Sequence, residues 1–474
     1  MNNRTVWRLG TLFTILFAML AVRQAYVQIV QAPVIAANPY NPRHALLAAG
    51  RGRILASDGT VLAETINGKR FYPLGPALSH TVGYVSRQYG TSGLEDAYDR
   101  ALTPAASTGD IGAQLGEIVL ALHGKSEISR GADLVTTIRP AIETTLYNVL
   151  SRYARGAGVV MDPRSGEVLA LASVPGFDPN VLSATFPSLR SDSSSPLLDR
   201  ALDGLYPPGS TFKIVTASAA LDSGAVSMNS TFYDPGYYTI GNFTLHDDEG
   251  EATGTQDLTG AFALSSNVDF GQIALKMGTA TFYRYVARWG IGEGVEFQLP
   301  VSTDRVPSES TVTPGELAQM GFGQGALLVT PLRMALVTST IAGNGVEPRP
   351  YIVREVRAPG TVTSTYEPGE LAAPITADTS TNVKNMMIAV VQRGTGRPAA
   401  LPGVAVAGKT GTATNPSGAP HSWFVCFAPA QNPRIVVAIV LENSGYGAQA
   451  AAPAAREVLE VALKLTNTAA SGGT

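Results

Sequence analysis

What the chain lacks narrows its chemistry first. Cys426 is the one cysteine in 474 residues, which excludes an internal disulfide and any cysteine-based metal cluster. The five histidines stand far apart, at 44, 80, 123, 246 and 421, without paired zinc-ligand spacing. A metal-dependent hydrolase is therefore not expected, and no motif calls for a cofactor. Charged residues make up only 15% of the chain, the formal net charge is −3, and no basic run occurs, which argues against a nucleic-acid partner. Gly-x-Ser-x-Gly is absent, and with it the nucleophile elbow of a Ser-His-Asp hydrolase. Lysine is scarce, with seven in the chain, so each position carries information. By contrast, 45% hydrophobic residues over this length allow a large core and two or three domains.

One of those lysines follows a rigid lead-in, Tyr206-Pro207-Pro208-Gly209-Ser210-Thr211-Phe212-Lys213. Proline fixes φ and glycine admits conformations that other residues avoid, so the lead-in is non-helical. The apolar run Ile214 to Leu221 then predicts a buried helix beginning at Ser210. A helix N-terminus carries free N–H groups and partial positive charge, and Lys213 lies one turn along on the same face. A serine hydroxyl with an amine beside it there is a candidate activated nucleophile. With 33 serines and seven lysines, a Ser-x-x-Lys match also arises by chance, as an N-cap serine and a solvated lysine. Further residues must decide.

Taken in order, the chain begins with Arg4, Trp7 and Arg8, then Leu9 to Val22 without a charge, then Arg23. With its apolar flanks this run predicts a membrane anchor over 9–30, Arg8 and Arg23 reaching the interfaces. A cleaved signal peptide is the alternative, but no small-x-small site precedes a plausible mature start. The arginine bias puts residues 1–8 in the cytoplasm and the rest outside. Residues 31–137 are looser in texture, with a hairpin signal at Ser57-Asp58-Gly59 and no converging catalytic groups, as in a pedestal or docking domain. From 138 a helix (Arg139 to Tyr153) precedes a second hairpin around Pro163-Arg164-Ser165-Gly166. Helices flank Ser265-Ser266-Asn267, and more follow at Glu316–Gly321 and Pro331–Ala342. Strands at Val404–Thr412, Ser422–Ala428 and Ile435–Glu442 precede a helix from Ala448 to Leu465. Residues 467–474 read as a disordered tail. The economical assembly over 138–466 is α+β: one antiparallel sheet flanked by helices, the early hairpin joining the late strands.

Lys409-Thr410-Gly411-Thr412 lies in the first late strand, where a glycine marks close approach of another backbone. Ser-x-x-Lys and Lys-Thr-Gly each occur once, and together they use two of the seven lysines. In this order, Ser210-x-x-Lys213, Ser265-x-Asn267 and Lys409-Thr410-Gly411 resemble the signature of penicillin-binding proteins and serine β-lactamases. The flanking Gly323-Gln324-Gly325 and His421-Ser422-Trp423-Phe424 are family-like. Arg51-Gly52-Arg53-Ile54 and Ser92-Gly93-Leu94-Glu95 resemble the N-terminal domain of class B members. The stretch 31–137 between anchor and main domain leaves no room for a glycosyltransferase domain, so the chain resembles the compact class B forms.

The resemblance implies a D-Ala-D-Ala transpeptidase of bacterial cell-wall synthesis, in division or elongation. Ser210 would be acylated by a peptidoglycan stem peptide or by a β-lactam. Lys213 would have to be neutral to take the serine proton, Ser265 would relay a proton to the leaving amine, and Asn267 would hold Lys213. The N–H groups of Ser210 and Thr412 would form the oxyanion hole. Lys409, Thr410 and Thr412 would hold the substrate carboxylate, with Gly411 on a strand that pairs with the peptide. The implied partners are the cytoplasmic membrane and a glycosyltransferase or division and elongation proteins. A membrane-bound β-lactamase or β-lactam sensor is an alternative, although no Glu-x-x-Leu-Asn pattern lies between Asn267 and Lys409. A non-catalytic wall-synthesis scaffold is another.

Overall fold

The computed structural model describes residues 3–26, 50–104, 130–247, 250–358, 361–416 and 418–471. Its main sheet has five strands, in the order Ala407–Ala413, His421–Ala428, Ile435–Leu441, Gly156–Met161, Val168–Val174, every neighbouring pair antiparallel. The early hairpin does join the late strands, at the edge away from Lys409. Ile435–Leu441 is apolar and buried at every position, as a strand covered on both faces must be. Side chains alternate between faces along a strand, so this strand serves two cores. Val436, Ala438 and Val440 pack with the helix Pro331–Ala342, while Ile435, Val437, Ile439 and Leu441 pack with Pro140–Leu150 and the C-terminal helix Ala451–Ser471. That last helix runs past Leu465 through much of the expected tail, and residues 472–474 lie outside the described set.

A second, six-stranded sheet is ordered Thr361–Thr365, Val353–Ala358, Asp133–Thr136, Ile54–Leu55, Val61–Ile66, Lys69–Phe71. Its first two strands come from far along the chain and pair back onto the N-terminal segment. Val353–Ala358 mixes charged and apolar residues and is mostly half-exposed, so its local pattern gives little sign of this return. The expected hairpin around Ser57-Asp58-Gly59 is present, as Ile54–Leu55 pairs antiparallel with Val61–Ile66.

The motifs around Arg51 and Glu95 meet in the same region. The Arg51 guanidinium donates to Glu95 Oε2 (2.8 Å), to Asp99 Oδ1 (2.7 Å) and to Thr103 Oγ1 (2.9 Å). Arg70 donates to the other Glu95 oxygen at 2.6 Å. The Glu95 side chain is fully buried between two arginines, so its charge is retained only because both partners are in place.

At the N-terminus a helix spans Asn3–Ala25, with Trp7, Phe13, Phe17 and Met19 exposed. Among the described residues no helix is long and apolar enough to cross a membrane. Within this one, Arg8 and Arg23 bound the uncharged run Leu9–Val22, and Arg4 lies nearer its start. The helix therefore does not itself bear out the span expected over 9–30, whose residues 27–30 lie outside the described set.

Because Glu95 neutralises two buried guanidinium groups, Glu95→Ala is expected to destabilise the surrounding segment by about 3–5 kcal/mol. Urea unfolding of the full chain measures this, and a loss below about 1 kcal/mol would show that the pair is not holding the segment.

Candidate active site

Ser210 stands in a single 3-10 turn, Gly209–Phe212, and the α-helix proper starts at Lys213 and runs to Asp222. The helix thus begins one turn later than the sequence suggests. Gly209 has φ +54°, open to glycine at little cost. A Cβ there would lie 2.8 Å from the carbonyl oxygen of Thr412. Its N–H donates to the Gly323 carbonyl at 2.8 Å, which gives the Gly-Gln-Gly stretch a structural role. Gln324 Nε2 donates to the Thr412 carbonyl at 3.1 Å.

The Lys409 strand approaches the lead-in from the other side. A side chain at Gly411 would lie 2.9 Å from each of Pro208 O, Thr211 Cγ2 and Trp423 Cβ, so the glycine marks the close approach its sequence position implied. Trp423 Nε1 donates to Pro207 O at 3.0 Å, and the Tyr206 hydroxyl to Glu442 Oε1 at 2.8 Å. Arg200 donates to the same Glu442 oxygen at 2.7 Å. His421 belongs to this support: its Nδ1 accepts from the Asn443 N–H at 3.1 Å, and its ring meets Tyr206 edge-on.

Ser265-Ser266-Asn267 forms the break between the helices Leu258–Leu264 and Asn267–Met277. Ser265 caps the first in the left-handed region at φ +67°, a strained position for a non-glycine residue. Ser266 caps the second, its hydroxyl accepting from the Asp269 N–H at 2.9 Å. The strained turn aims two Ser265 oxygens at one amine: Lys213 Nζ donates to the Ser265 carbonyl and lies 3.3 Å from the Ser265 hydroxyl. It also donates to Asn267 Oδ1 at 2.9 Å. From the opposite strand, Lys409 Nζ donates to the same Ser265 hydroxyl at 2.7 Å. Both lysines are fully buried, Lys213 over the Phe270 ring and Lys409 over Phe262.

In front of this hub is a cavity of about 230 Å³ lined by Ser210, Ser265, Thr410, Thr412, Asp247 and Tyr446, among others. The Ser210 hydroxyl makes no hydrogen bond among the described residues. The eight expected residues therefore divide. Ser210, Ser265, Thr410 and Thr412 line the cavity, Lys213, Asn267 and Lys409 stand behind its wall, and Gly411 lets the two walls approach. Lys409 does not line the cavity, and its Nζ donates to the Ser265 hydroxyl and to the Thr410 carbonyl. The outer edge of its strand is the end of the five-strand order, free of strand pairing among the described residues.

Sequence reasoning missed Asp247, Thr395, Tyr446 and Gln324. Thr395 Oγ1 and Thr410 Oγ1 are 2.5 Å apart. Three of these residues had a local sign, since Gly323-Gln324-Gly325, Gly394-Thr395-Gly396 and Gly445-Tyr446-Gly447 each hold one side chain between glycines. Asp247 accepts from the backbone N–H groups of Asn267 and, at 3.2 Å, Val268. Burial, then the hydrogen bond to Asp234, push its carboxyl above the ordinary range. Burial and nearby Asp234 raise Asp269 to about 7. No group of three or more His, Cys, Asp or Glu side chains able to hold a metal occurs among the described residues.

Comparison with known proteins agrees over nearly the whole length. Residues 156–460 match the penicillin binding protein transpeptidase domain family, and residues 51–115 match the penicillin binding protein A dimerisation domain family. The peptidoglycan D,D-transpeptidase PbpA of Mycolicibacterium smegmatis is 31% identical over 498 residues, covering 98% of this chain and 99% of the relative. The Mycobacterium tuberculosis PbpA is 30% identical over 503 residues with the same coverage. The ceftriaxone acyl-enzyme structure of penicillin-binding protein A from M. tuberculosis superposes with TM-score 0.81 at 28% identity, covering 89% of this chain and all of that one. A D,D-transpeptidase domain from Eggerthella lenta gives TM-score 0.79 at 34% identity, covering 88% and 99%.

The crowding at Gly411 yields a structural test. Gly411→Ala forces the Lys409 strand off the lead-in, and overpacking of this kind costs about 1–3 kcal/mol. A lower unfolding midpoint is the expected result, and an unchanged midpoint would show that the approach is looser than the distances imply.

Proposed function

The chain belongs to the penicillin-binding protein transpeptidase family as a serine-type peptidoglycan D,D-transpeptidase and a β-lactam target, and we propose that Ser210 carries its acyl-enzyme. The observation that carries this assignment is the pair of buried lysines meeting on one Ser265 hydroxyl beside the cavity that Ser210 opens into. Two buried ammonium groups cannot share one oxygen without strong repulsion, so the arrangement favours Lys213 as a free amine and Lys409 as the cation.

As a free amine, Lys213 takes the Ser210 proton while Oγ attacks the penultimate D-Ala carbonyl carbon. The oxyanion is held by the N–H groups of Ser210 and Thr412, the first of which lies in a turn whose N–H groups lack helical partners. Collapse breaks the C–N bond, and the departing D-Ala amine receives a proton through Ser265, which accepts from Lys409 and can donate to the leaving group. Thr410 and Thr412 hydroxyls hold the terminal carboxylate, with the Lys409 charge behind them. The amine of a second stem peptide then attacks the ester, forms the cross-link and frees Ser210. A β-lactam enters the same first step, but its cleaved ring nitrogen stays attached to the acyl group.

We read 31–137 as the pedestal and 138–466 as the transpeptidase domain, supported by the matches at 51–115 and 156–460. Attachment to the cytoplasmic membrane through the N-terminal segment is supported by the uncharged Leu9–Val22 run and its exposed apolar side chains. A partner glycosyltransferase, with division or elongation proteins, would supply strands to the active site.

Intact-protein mass spectrometry after penicillin, followed by peptide mapping, tests the nucleophile. A stable adduct on Ser210, lost in Ser210→Ala, is the expected outcome; rapid turnover or an adduct elsewhere would overturn the assignment. Removing the relay in Ser265→Ala should slow acylation by about 10²-fold or more, read as the rate of labelling by a fluorescent penicillin.

A further inference from the structure

Asn267 must present its side-chain oxygen, not its NH₂ group, to Lys213, and something outside its own helix has to set that orientation. The hairpin Tyr237–Ile240 with Phe243–His246 ends against the N-terminus of the Asn267 helix. His246 O accepts from Asn267 Nδ2 at 3.4 Å, which turns Oδ1 toward the lysine. The next residue, Asp247, accepts from the Asn267 and Val268 N–H groups and from the Ser266 hydroxyl at 3.3 Å. Three donors around the Ser265-Ser266-Asn267 turn thus converge on one carboxyl group.

Asp247 is itself held by a second acid. Asp234, at the end of the strand Thr231–Asp234, accepts from the Gly236 N–H and the Thr253 hydroxyl, each at 2.7 Å, and hydrogen-bonds to Asp247. Two carboxyl groups can hydrogen-bond to each other only when one carries a proton. Burial opposes ionisation of Asp234, but its hydrogen bonds to Asp247, Thr253 and Gly236 outweigh it and keep Asp234 below the ordinary range. The pair therefore holds one proton between them.

We propose that Asp247 is a positioning residue for acylation: joined to Asp234 through one shared proton, it fixes the Asn267 amide that locates Lys213. The inference rests on the reading of Lys213 as the base. The shared proton suits that reading, because the pair anchors the turn by accepting hydrogen bonds with one negative charge near the amine rather than two. Among the described residues, the other charged or titratable groups near it are Lys213 from the nucleophile helix, Asp269 from the Asn267 helix, Asp234 from the strand Thr231–Asp234, and Glu251, which lines the same cavity. When the shared proton is lost at higher pH, two carboxylates are left in contact and the turn that holds Asn267 loosens.

The test is the second-order rate of labelling by a fluorescent penicillin, measured on the full chain from about pH 6 to about pH 9. Asp247→Asn keeps the acceptor and cannot lose the bridging hydrogen. Its rate relative to wild type should rise about threefold or more across that range, and Asp234→Asn should follow the same trend. Asp247→Ala should label about tenfold more slowly throughout, with its unfolding midpoint recorded alongside. Rate ratios independent of pH in both asparagine variants would overturn the proposal, as would Asp247→Ala labelling at the wild-type rate. Those two variants keep it testable if Asp247→Ala does not fold. Absence of Ser210 labelling in the wild type would instead overturn the acyl-enzyme reading beneath it.

Discussion

Two buried lysines hydrogen-bonded to one serine hydroxyl form the constraint on which the rest of this structure depends. A buried cation is costly and two side by side are costlier, so a fold that brings Lys213 and Lys409 to Ser265 must supply compensating dipoles. It does so with the Ser265 carbonyl, the Asn267 amide oxygen and the Thr410 carbonyl. The rings of Phe270 and Phe262 lie against the two amines. The Ser265 φ of +67° belongs to the same arrangement, since the left-handed turn is what presents both of its oxygens to Lys213.

Larger architecture serves this meeting point. The nucleophile helix, the helix break and the Lys409 strand approach from three directions, and each approach is limited by a contact that a larger residue would block. Gly209 and Gly411 set the distance between the lead-in and the strand. The five-stranded sheet holds Lys409 on its outermost strand, backed by Trp423 and two separate cores. An edge position leaves that strand able to receive an extended peptide while its other side is fixed.

Much of this was legible in the sequence because the informative residues are rare. Two of seven lysines fall in Ser210-x-x-Lys213 and Lys409-Thr410-Gly411, and a glycine inside an apolar strand has few explanations. Continuous apolar runs such as Ile435-Val436-Val437-Ala438 declared the buried strands. Other features left no local trace. Val353–Ala358, which carries Thr361–Thr365 on its outer edge, pairs with Asp133–Thr136 far earlier in the chain, a choice made by tertiary packing. Asp247 acts through its place at the end of a hairpin, and an aspartate followed by another aspartate looks like any solvated pair. At the N-terminus the uncharged Leu9–Val22 run suggests a span, while among the described residues no helix is long and apolar enough to be one.

The claim that Lys409 works through Ser265 is tested most directly by a double-mutant cycle on penicillin labelling rate, with Lys409→Met, Ser265→Ala and the combined variant. Residues that act as a unit are strongly non-additive. The combined variant should label within about threefold of the slower single variant, because removing the hydroxyl already removes what Lys409 acts on. Losses that multiply in full would contradict the account and give the two residues independent roles.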